Sequence, residues 1–244
     1  MSGHSHWHSI KYQKTAADAK RSKAFSKMAR LITIAAREGG GDPSSNSKLR
    51  LAVEQAKALN MPKDNIERAI KRGTGELGGE KLEAVTFEAY GPGGIAVIIE
   101  GITDNKNRTL GEIKQILNRG GGKLADQGSV KWLFERKGVI TINFQIPNSK
   151  FQKKEELELA AIEAGAEDIY WHNDSLDIYT KPEELEKVKR NLEEKQIKID
   201  SASLDWVAKN TIELDEKTKE ACQKLFEALD ENEAVQDIYS NLKI

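Results

Sequence analysis

Eight cations stand in the first 37 residues (Lys11, Lys14, Lys20, Arg21, Lys23, Lys27, Arg30 and Arg37), and the one acid among them is Asp18. With so few carboxylates to neutralise them, these groups are suited to a polyanion. Ammonium and guanidinium side chains displace the counterions condensed along a phosphate backbone. Trp7 and Tyr12 lie in the same stretch and offer rings on which bases can stack. The bias continues to residue 75, where 15 Lys and Arg face 6 Asp and Glu, whereas the remainder holds 23 against 33. The net charge of −1 therefore hides a dipolar chain whose front end suits nucleic acid. Arg50, Lys63, Arg68, Lys71 and Arg72 add to the basic front. Asp64 and Glu67 stand one helical turn before Arg68 and Lys71, so the 63–72 segment alone reads as an internally paired, solvated face. For residues 11–37, Asp18 and Glu38 are the only nearby acids, and that stretch reads as the binding surface.

Helices must carry these charges. From Thr15 to Arg37, Phe25, Met28, Leu31, Ile32 and Ala35 recur at helical spacing, and Lys20, Lys23, Lys27 and Arg30 line another side. Gly39-Gly40-Gly41 ends that helix, and Ser44-Ser45-Asn46 caps a second running to about Leu59. Pro62 opens a third, stopped at Gly73. Beyond a glycine-rich linker the pattern turns to strands and helices. Strands are expected at 84–90, 94–102, 129–136, 138–145, 167–172, 175–180, 198–205, 206–214 and 234–242, with helices at 106–119, 153–164, 182–195 and 215–230.

Residues 138–205 spell β-α-β-β-α-β, the order of a ferredoxin-like split βαβ unit, and the flanking elements from 94 to 242 spell it again. The expected fold class is thus α+β: an N-terminal three-helix domain, then two ferredoxin-like α/β domains, one inserted into the other. The domains are expected at 1–79, at 80–137 plus 206–244, and at 138–205.

The strings GHSHWHSIKYQKTAADAKRSKAFSK, GGGDP, LRLAVEQAKALNMPKDNIERAIKRG, EAYGPGGIAVIIEGITDNKNRT and GGKLADQGSVKWLFERKG closely resemble the YebC family across the whole chain. That family includes bacterial proteins labelled transcriptional regulators and a mitochondrial translational activator of cytochrome oxidase. The resemblance implies a helical N-terminal domain followed by two α/β domains. It also implies a role in gene expression, on DNA or as a ribosome-associated factor that relieves stalling at difficult stretches. Within the matching motifs it carries over Lys11, Lys14, Lys20, Arg21, Lys27, Arg50, Lys63, Arg68, Lys71 and Arg72 as basic positions, and it makes Asn105 and Arg108 candidates for a contact site. The plainer role for Asp104 or Asn105 is to cap the helix that follows. His6 stands where relatives more often have Lys, which makes the charge at the tip pH-sensitive.

Other motifs carry less. His4, His6 and His8 alternate around Trp7, but no acid or cysteine completes a metal set, so no metal or cofactor is expected. Gly91-Pro92-Gly93-Gly94 lacks a Walker or dinucleotide signature and reads as a hairpin turn. The single cysteine, Cys222, lies beside Leu225 and Phe226 as a small apolar residue, and excludes an internal disulfide. No Ser/His/acid grouping suggests a nucleophile, and paired glutamates fall in charged helices. Neither an apolar membrane span nor an export segment is apparent, so a cytoplasmic location is expected.

The reading that results is a non-enzymatic, nucleic-acid-binding regulator of gene expression, a DNA-binding transcriptional regulator first. Ribosomal RNA and translation come second. A hydrolase or metal-dependent enzyme in an interdomain cleft is the weakest alternative. The acidic α/β domains, poor phosphate binders, are expected to face a protein partner.

Overall fold

A computed structural model describes residues 18–78, 81–144, 154–172 and 175–243, with the side chains of residues 18–20 left aside. Three helices come first: α1 (Asp18–Gly39), α2 (Ser47–Ala58) and α3 (Lys63–Gly73). Their apolar stripes meet in one core around Met28, Ile32, Leu49, Ala52, Ile66 and Ala69. Asn46 pins the first turn. Its Oδ1 accepts from the Leu49 N–H at the start of α2, while its amide donates to the carbonyls of Ala35 and Gly40 at the end of α1. A buried amide that satisfies both helix ends fixes their angle. Gly73 lets α3 touch α1 directly, since a Cβ there would run into the Thr33 carbonyl and the Ala36 methyl.

The first sheet contains β1 (Glu83–Tyr90), β2 (Ala96–Thr103), β3 (Lys123–Ala125) and β8 (Val235–Ser240), antiparallel throughout, in the order β3-β1-β2-β8. Gly93 (φ 69°) and Gly94 (φ 77°) make the turn between β1 and β2, as the hairpin reading expects. Helices α4 (Lys106–Arg119) and α7 (Glu216–Asp230) lie on one face. Ile113, Leu117, Leu225, Phe226 and Leu229 pack there on Phe87, Val97 and Ile99. Cys222 is in the same core, where burial pushes its thiol pKa up.

The second sheet is built from β4 (Phe134–Asn143), β5 (Asp168–His172), β6 (Ser175–Thr180) and β7 (Ser201–Ala208), in the order β5-β6-β4-β7, with α5 (Lys154–Ala164) and α6 (Leu185–Glu194) in the connections. This is the split βαβ arrangement expected for residues 138–205.

The chain is therefore mixed α+β: helices, then two small antiparallel sheets. The described residues divide into two compact units, one within Phe134–Lys209 and the other comprising the described residues outside that range. The first sheet departs from expectation in its strands. Residues 129–136 are not one strand, because the sheet takes 123–125 and Lys131–Leu133 form a 3-10 turn. Residues 206–214 are not a strand of this sheet either. β7 runs on to Ala208, and only Ile212 afterwards bridges to Leu242. The vacant position beside β2 is filled by β1, which the sequence order treats as an accessory hairpin strand. Placement beside a neighbour, rather than chain order, decides which strands complete a sheet.

Candidate nucleic-acid interface

The cationic stripe of α1 does form one face, and that face is occupied. Lys23 Nζ donates to the Glu231 carbonyl (2.5 Å) and carboxylate (2.9 Å). Lys27 Nζ donates to the Asp230 carbonyl (2.9 Å) and carboxylate (2.8 Å), and Arg30 donates to the Glu233 carbonyl (2.8 Å) and carboxylate (3.3 Å). The three cations thus grip the C-terminal end of α7, where unpaired carbonyls and the helix dipole both favour positive charge. Lys27 is only 4% exposed. This corrects the expectation of a continuous exposed patch through Lys23, Lys27 and Arg30: the acidic half of the chain neutralises them, and they serve packing.

Charge is left over on the opposite helix pair. A groove of about 240 Å³ between α1 and α3 is lined by Ser22, Phe25, Ser26 and Ala29 from one side and by Met61, Asn65, Arg68, Ala69 and Arg72 from the other. Arg68 and Arg72 stand one turn apart, exposed, and with exposed Lys71 they form no ion pair among the described residues. The expected Asp64–Arg68 and Glu67–Lys71 pairs are not what forms: Glu67 turns back to Lys63 at 3.4 Å. Two guanidinium forks beside serine and amide groups, over the half-buried Phe25 ring, can bind a phosphate oxygen bidentately. The expected division of labour is reversed, with α3 offering its cations and α1 spending them.

The remaining candidates divide similarly. Arg21 and Arg37 are exposed on α1, and Arg37 sits in the last turn, where it complements the dipole. Arg50 is half-buried and ties down the loop before α2 through the carbonyls of Pro43 (3.0 Å) and Ser44 (3.4 Å). Asn105 is the N-cap of α4, its Oδ1 accepting from the Arg108 N–H at 3.0 Å. Arg108 itself pairs with Asp104 and reaches Glu112 at 3.9 Å. Both contact-site candidates are thus engaged in building their own helix. Lys11, Lys14, Trp7, Tyr12 and the three early histidines lie outside the described residues, as does the side chain of Lys20.

One feature escapes the sequence reading. Strand alternation places Val85, Phe87 and Ala89 in the helix-covered core and turns Glu88 to the other face. Glu88 is 5% exposed, and its carboxylate accepts the backbone N–H groups of Gly128 (2.6 Å), Val130 (2.7 Å) and Lys131 (2.8 Å). Burial opposes its ionisation. The three N–H donors and the Lys131 charge together outweigh that, so its pKa lies below the ordinary carboxylate value. The turn so held ends in Trp132, which is 66% exposed. The available signal was the one acid, Glu88, inside the expected strand 84–90.

Among the described residues, a Thr/Asp/His grouping bears on catalysis. In the second sheet Asp177 accepts from Thr141 Oγ1 at 2.7 Å and lies 3.0 Å from His172 Nε2. The carboxylate sits between the other two, so the Thr hydroxyl gives its hydrogen bond to the acid and not to the imidazole, the reverse of an activated nucleophile. Among the described residues no group of three His, Cys, Asp or Glu is placed to hold a metal ion, and no helix is long and apolar enough to cross a membrane.

Residues 5–76 match the model of the TACO1/YebC protein N-terminal domain, and residues 82–242 match that of the TACO1/YebC second and third domain. The chain belongs to the TACO1/YebC family. Relatives named "probable transcriptional regulatory protein" include one from Petrotoga mobilis, 52% identical with all of this chain and 95% of the relative aligned. Another, from Halothermothrix orenii, is 48% identical, with 100% and 96% aligned. The crystal structure of a conserved hypothetical protein from Aquifex aeolicus superposes with a TM-score of 0.88 at 46% identity, covering 98% of this chain and 97% of that one. In family terms the α1–α3 groove falls in the TACO1/YebC N-terminal domain, while Glu88 and Trp132 fall in the segment matched as its second and third domains.

Proposed function

We propose that this TACO1/YebC-family protein is a non-enzymatic regulator of gene expression that binds nucleic acid through its N-terminal helices. The observation that carries the reading is the groove between α1 and α3, where Arg68 and Arg72 project one turn apart and form no ion pair among the described residues. The cationic residues 11–21 lead into the same helix and add to the electrostatic footprint. Lys23, Lys27 and Arg30 drop out of the binding surface. DNA is the first choice of polymer, because the relatives are named as probable transcriptional regulatory proteins. Ribosomal RNA is the second, because the matching family model also bears the name of TACO1, and the resemblance set out above includes a translational activator. Contacts from Arg68 and Arg72 to phosphate would supply affinity without base discrimination. The acidic second and third domains are proposed to face protein.

Binding to duplex DNA and co-sedimentation with ribosomes, each followed across a salt series, separates the two polymers. A transcriptional regulator keeps a preferred DNA site as salt rises. Firm ribosome association with only salt-labile, sequence-blind DNA binding selects the translation reading. Replacing Arg68 and Arg72 together by Gln should weaken whichever interaction is real. Unchanged affinity and salt slope would discard the groove.

A further inference from the structure

The turn from Asp126 to Leu133 belongs to a motif that phosphate gripping leaves unused, and it is built more firmly than a connector requires. Glu88 anchors three of its N–H groups from beneath. From above, the Ser129 carbonyl accepts both the Trp132 indole N–H (2.9 Å) and the Tyr90 hydroxyl (3.4 Å). Lys123 Nζ lies 5.5 Å from the centre of the Tyr90 ring, and Lys131 is exposed beside Trp132. Two rings thus share one acceptor, with the Lys123 ammonium near one of them and Lys131 next in sequence to the other. The indole N–H is engaged within the turn, while 66% of the residue is exposed.

From this we infer that Trp132 is a stacking platform for an unpaired base of single-stranded nucleic acid, with Lys123 and Lys131 placed for the neighbouring phosphates. The inference rests on the nucleic-acid reading and narrows it, since a base paired within a duplex has no free face to give. A protein partner is the poorer fit. Besides Trp132, the exposed residues of the turn (Asp126, Gln127, Gly128 and Lys131) are polar or lack a side chain, whereas the centre of a protein interface is depleted of charge. Base–aromatic stacking tolerates any base and needs a held ring beside cations. Holding the ring in advance lowers the ordering cost of binding.

The test uses the full chain with Trp132→Leu and Trp132→Phe, titrated against fluorescein-labelled twelve-nucleotide oligo(U) and oligo(dT), with thermal melts as a folding control. Trp132→Leu keeps apolar bulk without a π face and should weaken binding roughly 5- to 100-fold, while Trp132→Phe stays within about threefold of the parent. Its salt slope should match the parent's, because no cation is lost. The Arg68→Gln/Arg72→Gln pair, run in parallel, should lower both affinity and slope. Wild-type affinity in Trp132→Leu, alongside a loss in the arginine pair, overturns the platform and leaves the nucleic-acid reading standing. Unchanged affinity in both variants, or failure of the parent chain to bind either oligonucleotide, overturns both. Unchanged oligonucleotide binding together with loss of an apolar peptide ligand would reassign Trp132 to protein.

Discussion

Replacing Lys27 by Met separates the two uses to which basic side chains are put in this chain. Methionine keeps most of the apolar stem and removes only the ammonium. Lys27 is 5% exposed along its side chain, and its partner Asp230 is 27% exposed, 2.8 Å away. Removing one member of a fully buried pair costs about 3–5 kcal/mol, because the other charge is stranded. Here Asp230 retains some water, and the Asp230 carbonyl can be solvated in part, so about 2–3 kcal/mol is expected. For a chain of this size that is a fall in melting temperature of roughly 5–10 °C. The neighbouring pairs set the scale. Glu231 and Glu233 are 75% and 78% exposed, so Lys23→Gln and Arg30→Gln should each cost no more than about 1 kcal/mol. The assay combines a thermal melt followed by circular dichroism with nucleic-acid titration at 25 °C across a salt series. Lys27→Met should melt early and bind with the parent's salt slope. The Arg68→Gln/Arg72→Gln pair should melt within a degree or two of the parent and lose about two units of slope on DNA. A Lys27→Met protein with unchanged melting and a slope lower by about one unit would refute the division into packing and binding cations.

Three further outcomes are expected. In Glu88→Gln a single amide oxygen replaces two carboxylate oxygens, and its NH₂ faces N–H donors, so stability at pH 7 should fall by about 1–3 kcal/mol; unchanged denaturant midpoints would deny the anchor. The pH dependence has a defined sign. The folded pKa of Glu88 lies below its ordinary value of 4.5, so its contribution is complete above that pH and is lost as acid carries the solution through the lower folded value. The parent's stability should therefore drop more steeply below about pH 4.5 than that of Glu88→Gln, and parallel acid limbs in the two melting curves would count against it. Gly73→Ala should destabilise by about 1–3 kcal/mol, since the added methyl meets the Thr33 carbonyl and Ala36; a variant that melts with the parent would show that α1 and α3 are looser than described. Asn105→Ala should cost about 1 kcal/mol through the lost cap of α4 with nucleic-acid affinity unchanged, and a selective loss of affinity would restore Asn105 as a contact residue.

What could be read from residues alone follows from how local each signal is. The helices of the N-terminal region were legible because their apolar spacing, the Asn46 cap and the Gly39–Gly41 stop act within a few residues of one another. The split βαβ order of the second sheet was legible for the same reason, since each connection in it is short. The first sheet was misread because its closure is non-local: β2 pairs with β8 across more than a hundred residues, and although the turn at 91–94 puts 84–90 beside β2, nothing local tells that 206–214 takes no place in this sheet. The site shows the same limit. Charge spacing along α1 placed Lys23, Lys27 and Arg30 correctly on one face, but a face has no meaning until its neighbour is known. The neighbour is the carbonyl end of α7, two hundred residues away in sequence. Conversely, the acids near Arg68 and Lys71 made α3 look neutralised. Glu67 has two possible lysine partners, at i−4 and i+4, and it takes the earlier one, Lys63. A run of cations in sequence therefore measures the capacity for polyanion binding, and only the folded position of the carboxylates and carbonyls decides which of those cations remain on offer.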